Sequence, residues 1–203
     1  MRSHPIKITA LIPVKALALG KSRLSSELDL EARIQVTRES LRHIVHVLKS
    51  VSRIGKIIII SRDSQVAAWA RQWRVTSLRE QHTGLNEALR DARTHLRKAE
   101  AILVLPSDLV ALSVTDIEAI LDAAETSREE RWVVIAPDRH GNGTNALLLR
   151  PPQVIEFEFG ANSSQRHAAL AYAAGVTPII FKSDSISLDL DSPEDYALYW
   201  DQW

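Results

Sequence analysis

A chain of 203 residues and 22.7 kDa suits one domain that buries roughly 70% of its unfolded surface, and 45% apolar with 25% charged residues excludes a disordered chain. Lys plus Arg and Asp plus Glu each number 25, so the net charge is zero and the overall basic excess of a nucleic-acid binder is absent. The absence of cysteine excludes disulfides, zinc-thiolate and iron–sulfur sites and thiol catalysis, and fits a cytoplasmic protein.

Met1-Arg2 ahead of the apolar stretch from Ile8 to Leu19 has the outline of a signal peptide. Lys15 interrupts it, and no stretch reaches the length of a membrane span, so no membrane partner is expected. Ile6–Pro13 reads instead as a buried strand. Leu30–Val51 carries Ile34, Leu41, Ile44, Val45 and Leu48 at helical spacing. Lys56–Ile60 is an isoleucine run suited to a strand covered on both faces. Val66–Trp73 reads as a helix, Val75–Leu78 as a strand, Leu85–Lys98 as a helix and Ala101–Leu105 as a strand. Thr115–Ala124 is helical and Trp132–Ala136 extended. The rhythm then changes. Asn145–Leu149 is a strand with no helix before it, Ser163–Ala174 is a helix, Pro178–Phe181 and Ser187–Leu190 read as short strands, and Pro193–Trp203 closes the chain as a helix. The expected fold is a single α/β domain over 1–203, with a mixed, mostly parallel sheet flanked by helices. Ligands of such sheets sit beyond the C-terminal strand ends.

The loops there carry the candidate chemistry. After the first strand come Lys15, Gly20, Lys21, Ser22 and Arg23. The cations suit a polyphosphate and Gly20 permits close backbone approach; a solvated basic loop explains the same residues, and the Walker spacing is missing. Ser107-Asp108 follows a buried strand, where Asp108 is either a metal ligand or a turn cap. In Leu188-Asp189-Leu190-Asp191, read as a strand, the two carboxylates share one face, as a hard cation such as Mg²⁺ requires. Ser192 to Asp195 equally reads as a helix start. Asp138 to Asn145 contains two glycines and is either a ligand loop or a hairpin turn. Gly160-Ala161-Asn162-Ser163 is either an anion site at a helix start or a plain serine cap. The seven histidines show no metal-ligand spacing; His140 and His167 fall near the last two loops. Trp69, Trp73, Trp132, Trp200 and Trp203 read as core or interface residues.

Taken in order, these segments resemble the 2-phospho-L-lactate guanylyltransferase family of coenzyme F-420 biosynthesis. The resemblance rests on Ile12-Pro13-Val14-Lys15 with Gly20-Lys21-Ser22-Arg23-Leu24, on Gly84-Leu85-Asn86-Glu87-Ala88-Leu89, and on Leu105-Pro106-Ser107-Asp108-Leu109. It continues in Pro137-Asp138-Arg139 with Gly143-Thr144-Asn145-Ala146-Leu147, in Phe159-Gly160-Ala161-Asn162-Ser163, and in Leu188-Asp189-Leu190-Asp191-Ser192-Pro193-Glu194-Asp195. Val110 departs from the pattern, where proline is expected.

The resemblance implies a nucleotidyltransferase fold, GT-A-like and Rossmann-like. It implies transfer of GMP from GTP to phosphoenolpyruvate, 2-phospho-L-lactate or 3-phosphoglycerate, with release of pyrophosphate. The product then passes to a downstream deazaflavin transferase. Asp108, Asp189 and Asp191 are expected to hold Mg²⁺. Lys15, Lys21 and Arg23 hold the β- and γ-phosphates. Gly20, Ser22, Ser107, Gly84 and Asn86 face the nucleotide, and Thr144, Asn145, Gly160 and Ser163 the acceptor. A metal-dependent glycosyltransferase, a sugar-phosphate nucleotidyltransferase and a nucleotide-binding scaffold are the rival classes.

Overall fold

A computed structural model of the chain describes residues 6–96, 98–127 and 129–199, with side chains described as far as Ala197. Seven strands form one sheet: β1 Ile8–Pro13, β2 Ile54–Ser61, β3 Thr76–Arg79, β4 Ala101–Val104, β5 Trp132–Pro137, β6 Thr144–Arg150 and β7 Ile179–Ile180. Their spatial order is β3-β2-β1-β4-β6-β5-β7. All neighbours are parallel except β6, which runs antiparallel to both β4 and β5. The helices are α1 Leu30–Ser50, α2 Ser64–Gln72, α3 Leu85–Thr94, α4 Val114–Thr126, α5 Ser163–Ala173, α6 Asp184–Ser187 and α7 Pro193–Tyr199.

The isoleucine run shows why the sheet is covered on both faces. Side chains alternate along a strand. Ile57 and Ile59 therefore join the core formed with α1, α2 and α4, while Ile58 and Ile60 join the core formed with α3 and α5. Leu148 against Leu147 and Leu149 divides the same way on β6. Each such fully buried aliphatic side chain contributes about 1.5–3 kcal/mol of transfer free energy.

Helix starts follow local chemistry. The Asp29 carboxylate accepts from Ala32 N–H at 2.8 Å and starts α1. Asp63 accepts from Gln65 N–H at 2.9 Å at α2. Ser113 and Asp116 form a reciprocal capping box at α4.

The described elements bear out most of the sequence reading, with shifted ends. The Ser187–Leu190 segment is the exception. It is not a strand: residues 184–187 form the short turn α6. Ser183 Oγ accepts from Ile186 N–H at 3.2 Å, and the Ser183 and Ser185 hydroxyls donate to Asp116 Oδ1 at 2.8 and 2.5 Å. This serine capping outweighs the alternation that suggested a strand. The expected end of the last helix, with Trp200 and Trp203, lies outside the described residues. Trp69 and Trp132 are buried. Trp69 stacks on Trp73 with ring centroids 6.1 Å apart.

Candidate active site

A cleft of about 500 Å³ opens at the C-terminal ends of the parallel strands. A larger open depression, about 1060 Å³, lies at their N-terminal ends, lined by Lys7, Lys56, Lys98 and His95 and, among the described residues, by no carboxylate. The first cleft holds the chemistry: Lys15, Gly20, Lys21, Ser107, Asp108, Asn145, Asp189 and Asp191 all line it.

Lys21 is its organising cation. Its backbone is left-handed, at φ 51°, a conformation costly for a residue with a side chain. The side chain is only 6% exposed, and Nζ donates to Asp108 Oδ2 at 2.8 Å and to the Leu190 carbonyl. Leu190 N–H in turn donates to the Asp108 carbonyl at 3.1 Å. One amine thus ties together the loops after β1 and β4 and the C-terminal carboxylate loop. Leu24, Val36, Val110 and Leu190 form a small buried cluster beneath the same junction. Val110, at the position that departs from the family pattern, is part of that packing. Lys15 is exposed in the cleft, whereas Arg23 is 74% exposed and donates to Asp191 Oδ2 at 2.7 Å. Ser22 is exposed and does not line the cleft. The three cations therefore have three different surroundings.

Asp189 and Asp191 reach the cleft from an irregular loop rather than from a strand face. Asn145 Nδ2 donates to the Ile186 carbonyl at 2.9 Å and approaches Asp189 Oδ1 at 3.5 Å. The position of Asp191 depends on Asp195, which the sequence offered only as a helix-start residue. Asp195 is buried. Its Oδ2 accepts from Asp191 N–H at 3.1 Å and Ser192 N–H at 2.9 Å, and its Oδ1 accepts from Arg139 Nη1 at 2.6 Å. Those contacts hold its carboxyl below the usual range, outweighing the cost of burial.

The β5–β6 loop is a hairpin turn. Asp138 accepts from the N–H groups of His140, Asn142 and Gly143 at 3.1, 2.9 and 2.8 Å. A Cβ at Gly143 would stand 2.6 Å from Asp138 Oδ2, so only glycine fits there without displacing it.

The other end of the cleft is bounded by Arg62, Glu80, Thr83, Gly84 and Leu85. Asn86 does not line it. Its amide donates to the Phe159 carbonyl at 3.1 Å and accepts from Phe159 N–H at 2.8 Å. Asn86 therefore clamps α3 to the Gly160 loop, and the nucleotide role expected of it has no support in this geometry.

Thr144 and Ser163 also lie behind the cleft. Ser163 Oγ donates to Thr144 Oγ1 at 3.0 Å, and Thr144 Oγ1 is 3.1 Å from His167 Nδ1. His167 Nε2 accepts from Glu158 N–H at 3.0 Å. All three side chains are buried. Gly160 is exposed at φ +123°, and a Cβ placed there would meet only the end of Arg166, at 3.2 Å. The N–H groups of Ser163 and Ser164 are taken by the carbonyls of Gly160 and Asn142, each at 3.1 Å. Among the expected acceptor residues, Asn145 is the one that lines the cleft.

The His167 network has a pH consequence. Burial, helped by the Arg166 charge, lowers its pKa to about 4, against about 6.5 when unfolded. The neutral ring's contribution is therefore fully present above pH 6.5 and is lost as pH falls towards 4. The loss is on the order of 3 kcal/mol. Urea unfolding of the wild type should show this slope, and His167→Gln should flatten it. A slope unchanged in His167→Gln assigns the effect to other groups.

The chain matches the family described as "Guanylyl transferase CofC like" over residues 8–198. It belongs to that family. A phosphoenolpyruvate guanylyltransferase of Rubrobacter xylanophilus is 37% identical over 95% of this chain and 93% of its own length. A 2-phospho-L-lactate guanylyltransferase of Methanobrevibacter ruminantium is 31% identical over 93% and 83%. Among solved structures, a 4-diphosphocytidyl-2C-methyl-D-erythritol synthase superposes with a TM-score of 0.67 at 15% identity, covering 98% of this chain and 99% of that one. A CMP:2-keto-3-deoxy-manno-octonic acid synthetase complexed with CTP gives 0.65 at 13% identity, covering 97% and 100%. These likenesses establish a nucleotidyltransferase fold for the CofC-like chain. No helix among the described residues is long and apolar enough to cross a membrane.

The carboxylates of this CofC-like site fit a hard cation. Asp108 Oδ1 is buried with no hydrogen-bond partner among the described residues. Burial raises the pKa of Asp189, and the charges of Asp108 and Asp191 raise it further. A cation beside these oxygens offsets both costs. Among the described residues no three acidic or imidazole groups yet stand as a ligand set. Lys21 and Arg23 hold one oxygen each of Asp108 and Asp191.

Proposed function

We propose that the chain is a guanylyltransferase that moves GMP from GTP onto the phosphate of a three-carbon phosphoacid, phosphoenolpyruvate or 2-phospho-L-lactate, with 3-phosphoglycerate as the third candidate. The observation that carries this reading is the Lys21–Asp108–Leu190 junction at the strand ends of a CofC-like chain. An acceptor phosphate oxygen, already deprotonated, attacks the α-phosphorus. The bond from the α-phosphorus to the β-bridging oxygen breaks, and pyrophosphate leaves with the electron pair. No protein base is required, so catalysis rests on alignment and charge neutralisation.

The residues divide that work by their surroundings. Lys15, exposed in the cleft beside Gly20, meets the phosphates directly. Lys21 holds Asp108 in place, and Arg23, paired with Asp191, adds positive charge for the leaving pyrophosphate. Ser107 and Asn145 border the attack site, with the buried Thr144 and Ser163 supporting it from behind. Asp108, Asp189 and Asp191 would hold Mg²⁺, which would supply positive charge for the triphosphate. The product goes to a downstream deazaflavin transferase.

Pyrophosphate release from GTP and Mg²⁺ with each of the three acceptors, in the presence of that transferase, tests the reading. One acceptor should support turnover well above the others. No turnover with any acceptor overturns it.

A further inference from the structure

We propose that Glu80 reads the guanine base, its carboxylate accepting from the ring N1–H and the exocyclic N2 amine, and so selects GTP among nucleoside triphosphates. This deepens the guanylyltransferase reading and rests on it.

The argument starts from position. Glu80 directly follows β3, and its N–H donates to the Ser61 carbonyl at 3.2 Å, which fixes it beside the end of β2. Its side chain is only 13% exposed although it lines the cleft. Oε2 accepts from Arg62 Nε at 3.0 Å, and Arg62 is itself anchored by donating Nη2–H to the His82 carbonyl at 2.9 Å. Oε1 has no hydrogen-bond partner among the described residues. The carboxylate is thus held rigidly with acceptor capacity to spare.

The strand order then supplies the distance. From β3 through β2 and β1 to β4 is three strand spacings, about 14 Å. Glu80 stands at one end of this row and Asp108 at the other, with Lys15 and Gly20 between them. A nucleotide with its phosphates over the loops after β1 and β4 directs its base towards Glu80. Val14, Ile60, Leu85 and Ala88 supply apolar surface there for a flat ring. The other carboxylates lining the cleft, Asp108, Asp189 and Asp191, lie at the phosphate end.

The chemistry selects the base. An ionised carboxylate only accepts hydrogen bonds. Guanine presents two adjacent donors, N1–H and the N2 amine. Adenine and cytosine each pair one amine with a ring-nitrogen acceptor, and uracil flanks its single N–H with carbonyls. Each of those places a lone pair against Glu80. Rejection by a mismatched, partly buried polar group is a strong form of discrimination.

The test compares GTP with inosine triphosphate, which keeps N1–H and lacks the N2 amine. The wild type should favour GTP in kcat/KM by at least about tenfold, as for one hydrogen bond to a charged group. Glu80→Gln should bring that ratio close to one. It should raise the KM for GTP more than it lowers kcat. Calorimetric titration of Glu80→Ala with both nucleotides repeats the comparison without turnover, and thermal melts verify folding. An unchanged GTP-to-inosine ratio, or equal loss for both nucleotides, overturns the inference and leaves Glu80 as an anchor for Arg62. A wild type that neither binds nor turns over GTP overturns the guanylyltransferase reading itself.

Discussion

Asp108→Asn and Asp189→Asn are each expected to lower turnover at least about a hundredfold, the scale of losing a key electrostatic group, in chains that still fold. Both substitutions keep shape and remove charge, but their effects on stability should differ in sign. Asp108 accepts from Lys21 Nζ at 2.8 Å in a pair whose side chains are 21% and 6% exposed. Its neutral replacement leaves the buried ammonium with the Leu190 carbonyl as its remaining strong acceptor, and about 1–3 kcal/mol of stability should be lost. Asp189 is the opposite case. Burial first, and the Asp108 and Asp191 charges after it, raise its folded pKa above the unfolded value. Its ionised form therefore costs stability at neutral pH, and Asp189→Asn removes that cost. The expected result is a chain at least as stable as the wild type and nearly inactive. Urea midpoints beside initial rates of pyrophosphate release give both quantities. Near-normal turnover in both variants removes the metal assignment.

Lys21→Ala should be inactive for a different reason. It deletes the amine that bridges Asp108 and Leu190, and it leaves the Asp108 carboxylate without its counter-charge. Breaking a largely buried pair from one side costs about 3 kcal/mol or more. Turnover should fall at least about a hundredfold as the carboxylate loop loses its anchor. Combining Lys21→Ala with Asp108→Asn separates anchoring from direct phosphate binding. If the pair is the main role, the double variant should recover stability, with a coupling energy above about 1 kcal/mol. Strict additivity of the two stability losses would assign Lys21 to the phosphates alone.

The two clusters of side chains above and below the sheet were legible because they depend on spacing within short windows. Alternation along Lys56–Ile60 and helical spacing in Leu30–Val51 need no knowledge of distant residues. The loops that line the cleft were legible for a related reason: parallel strands present their C-terminal ends together, so Lys15, Gly20, Lys21, Ser107 and Asp108 had to meet. The family resemblance also came from order and spacing along the chain.

Tertiary structure decided which of those polar residues face a ligand and which face one another. Lys21 and Asp108 are separated by 87 positions, Arg23 and Asp191 by 168, and Asn86 and Phe159 by 73. No local pattern encodes such pairings, because each depends on strand order and on loop packing. That is why Asn86 reads as a nucleotide ligand and, in the fold, clamps α3 to the Gly160 loop, and why Thr144 and Ser163, which read as acceptor ligands, join His167 in a buried network. It is also why no local pattern marks Glu80 beside Arg62 or Asp195 beneath Asp191. The sequence by itself determined the sheet, its helices and the set of groups at the strand ends; the fold alone decided their partners, since a buried polar side chain takes whichever complementary group the packing brings within reach.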